Sequence, residues 1–172
     1  MNILAIGELA SLKAHLTLLD TALDSINQAI SQSTDPESEG LFDRGEYLIG
    51  SGFVAAQRYI QTVYFTEGIK PDVALSLGEK LNYYGTFAHA IWQGANYWKH
   101  EEEWYQTVSC GGSLKGGSAK TRDNLEQYVD WDDYTCSNLL ALILDGNELS
   151  LVALIPILEA WTEAVNAHRR TL

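Results

Sequence analysis

Seven apolar residues, Leu9, Leu12, Leu16, Leu19, Leu23, Ile26 and Ile30, follow one another at spacings of three and four without a break. At ~3.6 residues per turn, that spacing sets them along one side of a helix. A helix over residues 4–32 would be on the order of 40 Å long at ~1.5 Å per residue. So regular a seam favours shallow, left-handed packing, the geometry of up-and-down bundles. Its partner is either a helix of the same chain or a second copy, and packing within the chain is the commoner arrangement.

Residues 33–40 are polar, contain Pro36 and interrupt the periodicity, so they read as an exposed connection. Helical spacing resumes with Tyr47, Ile49, Phe53, Ala56, Ile60, Val63 and Tyr64, a second long helix that Gly68 should end. Pro71 and Asp72 open the next helical stretch, with Asp72 as the expected N-cap. Over residues 81–99, a wheel at ~100° per residue collects Tyr84, Phe87, Ala88, Ile91, Ala95 and Trp98 into a core stripe. Asn82, His89, Gln93, Asn96 and His100 gather on the opposite side. Glu101, Glu102 and Glu103 would oppose the dipole of a helix ending there but suit the first turn of another. A break or bend is therefore expected near His100.

Residues 109–120 hold four glycines and three serines and read as a mobile loop. Beyond it the sequence predicts a helix over 122–129, an acidic capping turn at Asp130, Asp132 and Asp133, and an apolar helix over 137–144. A turn at Asp145, Gly146 and Asn147 then leads to a last helix over 150–170, which Pro156 should kink or effectively begin. No repeat and no strand pattern is visible. The expected fold class is all-α: a single domain over 1–172, with an up-and-down helical bundle over 1–108. A flexible Gly/Ser loop over 109–120 then leads to smaller C-terminal helices over 121–172, packed on the core.

The chain is long enough to bury roughly 70% of its unfolded surface, and its five Trp and nine Tyr supply a substantial core. Its N-terminus lacks the charged region and cleavage site of a signal peptide. The apolar run 149–157 falls far short of the ~20 residues that cross a bilayer. Cys110 and Cys136 are too few for a disulfide framework and lack metal-ligand spacing, so buried, reduced thiols and a cytoplasmic location are expected. A formal charge of -12 repels polyanions and argues against DNA or an anionic membrane as partner. A protein partner with a basic surface fits it better.

Most catalytic patterns fail on inspection. The stretch from Gly111 to Thr121 has Ala119 where a phosphate-binding loop needs glycine before Lys-Ser/Thr, and no strand precedes it. Lys115, Lys120 and Arg122 nonetheless form a basic island that could hold an anion or a partner's carboxylates. There is no Glu-x-x-His of a di-metal bundle, no calcium loop and no Gly-x-Ser-x-Gly elbow. No metal and no cofactor is expected.

What remains is the polar stripe, where Asn96 and His100 stand one helical turn apart and can act on one ligand. His89, Gln93 and Lys99 are its neighbouring candidate binding residues. Here the two long helices and the Asn96/His100 pair, over residues 1–106, resemble the HEPN superfamily of helical-bundle proteins. Many of these are metal-independent ribonucleases of prokaryotic toxin–antitoxin and antiviral systems. The resemblance implies a homodimer, with His100 moving a proton at the ribose or leaving group and Asn96 beside it. Ala95 stands where that family carries its arginine. Three readings follow: a HEPN-like defence protein with impaired or absent ribonuclease activity; an acidic, non-enzymatic inhibitor, antitoxin or immunity protein covering a basic site; and an active ribonuclease, the case in which RNA becomes a partner.

Overall fold

The computed structural model describes residues 3–131 and 133–171. Among them the chain forms seven α-helices and no strand: α1 (Ile3–Gln32), α2 (Leu41–Glu67), α3 (Pro71–Ser76), α4 (Phe87–Ser109), α5 (Gly116–Leu125), α6 (Thr135–Ile143) and α7 (Leu154–Arg169). The all-α bundle expected from the periodicity is the architecture found. None of the described helices is long and apolar enough to cross a membrane.

The heptad seam packs as its spacing requires. Leu12, Leu16 and Leu23 are buried, Leu9, Leu19, Ile26 and Ile30 are partly buried, and Leu18 on the outer face is exposed. This face of α1 lies along α2, so the partner helix belongs to the same chain. Gly40 and Gly68 bracket α2 in left-handed backbone, at φ 65° and 66°, a conformation that favours glycine. Ile69 N–H closes the C-terminal cap onto Tyr64 O at 3.0 Å.

Helix α4 runs through the middle and touches α2, α3, α5, α6 and α7. Several expectations about it need correction. It begins at Phe87, because the buried Thr86 caps it by accepting His89 N–H at 3.1 Å. Residues 81–86 instead form a loop, closed by an isolated bridge between Lys80 and Thr86, and Tyr84 is exposed there. No break occurs near His100, for α4 continues to Ser109. The three glutamates lie more than a turn from its end, where the dipole penalty has faded, and Trp104 anchors the far half in the core. Nor is the opposite face simply polar and solvated, since Gln93 is only 5% exposed.

Other differences are local. Lys70 caps α3, with Pro71 at its first position, so Asp72 falls in the first turn. The glycine-rich loop ends at residue 115, because Gly116 already begins α5, whose Leu125 is fully buried. Pro156 lies in the first turn of α7, where its missing N–H costs no helical bond. Cys136 is buried, but Cys110 is exposed at the end of α4. Tyr47, expected in the core, is 64% exposed. Asp132 of the acidic turn lies outside the described residues.

Two carboxylates tie the C-terminal helices to the long ones. Asp20 of α1 accepts Leu151 N–H at 2.7 Å and Val152 N–H at 3.0 Å, just ahead of α7. Glu46 of α2, 8% exposed, accepts Cys136 N–H at 2.6 Å and Ser137 N–H at 2.8 Å. It therefore satisfies the free N–H groups at the start of α6 and offsets the positive end of that helix.

Candidate functional site

Two clefts on different sides of α4 carry the candidate chemistry. The first lies between the start of α2, the middle of α4 and the start of α6, and encloses about 320 Å³. Its lining comprises four carboxylates, Asp43, Glu46, Glu101 and Asp133, and five aromatic side chains, Tyr47, Tyr97, Trp98, Tyr105 and Tyr134. Among the described residues, no lysine, arginine or histidine lines it.

Local sequence builds these walls. Asp43, Glu46 and Tyr47 follow i, i+3, i+4 on α2, while Tyr97, Glu101 and Tyr105 follow i, i+4, i+8 on α4, so each helix turns one acid–aromatic face to the space. Trp98 reaches it by lying against α2 at Gly50, where a Cβ atom would come within 2.1 Å of the indole. The Tyr47 and Trp98 rings then meet edge to face with centroids 5.5 Å apart. Burial, then the charges of Glu46 and Glu102, push the Glu101 carboxyl up to about 7. Burial also raises Tyr97, whose hydroxyl stays protonated. A cation entering here would meet aromatic side chains and would relieve the repulsion among the carboxylates.

The second cleft, about 550 Å³, lies between α4 and α5 and is bounded by α3 and the 80–86 loop. It collects four of the residues singled out in the sequence: His89, Gln93, Asn96 and Lys120. Both His89 ring nitrogens are engaged, Nδ1 with Tyr128 Oη at 2.7 Å and Nε2 with the Gln93 amide at 3.0 Å. Burial first, then the charges of Lys80 and Lys120, hold His89 below its usual pKa, so the ring is neutral at pH 7. The Gln93 amide nitrogen can only donate, so Nε2 accepts and the Nδ1–H of the neutral ring donates to Tyr128 Oη. Burial takes Tyr128 up to about 12, so its hydroxyl stays protonated. The contact needs a glycine at position 85, since a Cβ there would lie 1.9 Å from Tyr128 Oη.

The remaining candidates are scattered. His100 is exposed, pairs with Glu103 at 3.3 Å, and lines neither cleft. Asn96 turns its oxygen to Gln57 Nε2 at 2.8 Å, and Lys99 donates to Gln57 Oε1 at 2.7 Å. Thus Asn96 and His100 do not converge on one cleft. Ala95 is fully buried, so an arginine at that position would bring its charge into the core. Lys115 lines a separate hollow beside Trp104, and Arg122 bonds its neighbour Asp123 at 2.7 Å. Among the described residues, no group of three His, Cys, Asp or Glu side chains is placed to hold a metal ion.

Sequence reasoning missed the acid–aromatic cleft. Tyr47 and Trp98 had the spacing of core residues, and Glu101 looked like the start of another helix. The available signal was the alternation of acids and aromatics at helical spacing on both α2 and α4. No family model, no curated protein and no solved structure matches this chain.

Proposed function

We propose that the chain is a non-enzymatic binding protein that docks on a basic partner protein and receives one of its cationic side chains in the acid–aromatic cleft. One observation carries this reading: four carboxylates and five aromatic rings line a single hollow with no basic residue among them. Ring faces attract a desolvated ammonium or guanidinium by ~0.5–2 kcal/mol each, and the ionised carboxylates of the lining add to this. The net charge of -12 speeds encounter with a basic surface. In the toxin–antitoxin or defence setting that the HEPN resemblance suggests, this is the part of an antitoxin, inhibitor or immunity protein.

The ribonuclease readings have less support. Their imidazole, His100, stands in solvent, pairs with the Glu103 carboxylate at 3.3 Å and lines neither cleft. An acidic surface also disfavours RNA phosphates.

Calorimetric titration with a short Gly/Ser peptide carrying one arginine, and with the same peptide carrying citrulline, tests the proposal. Citrulline keeps the shape and removes the charge. The arginine peptide should bind at least about tenfold more tightly, and Trp98→Ala should weaken it about tenfold, since one good cation–ring contact approaches the ~1.4 kcal/mol of a tenfold change. Equal binding of the two peptides would overturn the reading.

A further inference from the structure

The cleft between α4 and α5 has the opposite chemistry and plays no part in the function proposed above. His89, Trp92, Gln93 and Asn96 line one wall, and Gly117, Lys120, Thr121 and Asn124 line the other. Both sets follow i, i+3, i+4, i+7, so each helix gives one continuous face to the space. Its volume, about 550 Å³, lies within the ~300–1,000 Å³ typical of small-molecule sites.

Its polar groups are chiefly donors, and Lys99 helps to make them so. A lysine ammonium can only donate, so the Gln57 atom it meets at 2.7 Å is the amide oxygen. The Gln57 nitrogen must then donate to Asn96, whose contacting atom at 2.8 Å is therefore oxygen. Asn96 is left with its NH₂ group for the cleft that it lines. Lys80 and Lys120 add two ammonium groups, and Thr121 and Asn124 add a hydroxyl and an amide. Among the described residues, Asp72 is the one carboxylate of the lining. Against a chain of net charge -12, this local excess still governs, because charges beyond ~8 Å are largely screened at physiological salt. The half-buried indole of Trp92 and the ring of Tyr84 supply flat apolar surface in the same space.

We infer that this cleft binds a small phosphate monoester of a planar ring, with the phosphate held by Lys80, Lys120 and the Asn96 amide and the ring laid against Trp92. Two ammonium groups match the double charge of a monoester, and N–H donors match its oxygens. His89, on the same wall, is tied to Tyr128 and Gln93 and does not compete for the anion.

Titration of the ¹⁵N-labelled full chain with phenyl phosphate tests this. Saturable shifts are expected at the Trp92 indole N–H and at the amides of Gly117, Lys120 and Asn124. Inorganic phosphate and benzyl alcohol should each bind at least about tenfold more weakly, since each lacks half of the recognition. Lys80→Ala/Lys120→Ala should weaken phenyl phosphate by at least about tenfold, with Tm unchanged because both side chains are exposed. The absence of saturable shifts, shifts confined to other regions, either control binding as well as phenyl phosphate, or an unaltered Kd in the double variant would each overturn the assignment.

Discussion

Between the ordinary carboxyl value of 4.5 and about 7, Glu101 holds a proton in the folded chain that it releases in the unfolded one. Its contribution to stability is therefore fully present below pH 4.5 and is lost as pH rises through about 7. Thermal melts across this window should show a decline in Tm that Glu101→Gln flattens. Identical slopes in the two proteins would contradict the environment described for Glu101. Sequence inspection favoured its neighbour His100, because an imidazole is the usual proton carrier near neutral pH. Folding reverses the ranking: His100 is left in solvent, and Glu101 is half-buried beside Glu46. That environment depends on α2 and α4 lying side by side, which no local pattern encodes. Cys110 was misread for a related reason. Free cysteines are usually buried, but this one follows the last turn of α4, beyond the packing of Trp104.

At the level of elements, the long helices were legible because their apolar spacing extends over many turns. Gly68 ends α2 where the sequence placed the stop, and Pro156 lies in the first turn of α7. The ends of α4 and α5 were less legible, because they depend on distant contacts. Thr86 caps α4 while its hydroxyl donates to Leu75 O at 2.6 Å, and Leu125 holds α5 in the core despite its glycine-rich start. Glu46 is the strongest example, since it caps α6 from 90 residues away in the chain. Glu46→Ala should leave buried N–H groups of α6 without partners. At about 1–3 kcal/mol for each unsatisfied donor, the expected loss is about 2–4 kcal/mol, or roughly 10 °C in Tm for a chain of this size. Urea unfolding measures it, and a loss below ~1 kcal/mol would show that water or another side chain replaces the cap.

For the whole molecule, one seam and one central helix organise everything else. Leu16 is fully buried and Leu18 is 70% exposed on the same helix. An unpaired carboxylate in a core costs several kcal/mol, against a total stability of about 5–15 kcal/mol. Leu16→Asp should therefore unfold the chain, whereas Leu18→Asp should leave its cooperative transition nearly unchanged, as circular dichroism during urea titration would reveal. Similar behaviour of the two variants would remove the seam from the account. The bundle was thus readable from periodicity, whereas the clefts appear only when α4 is set among its neighbours: acids and rings meet on one side, amides and lysines on another. The most direct test of that division is a ¹⁵N chemical-shift map of the full chain titrated with the single-arginine peptide. The account predicts saturable shifts at the Trp98 indole and at the amides of Glu46, Tyr47, Glu101 and Tyr134, with Trp92 and α5 undisturbed. Shifts centred on Trp92 and Lys120, or none that saturate, would contradict it.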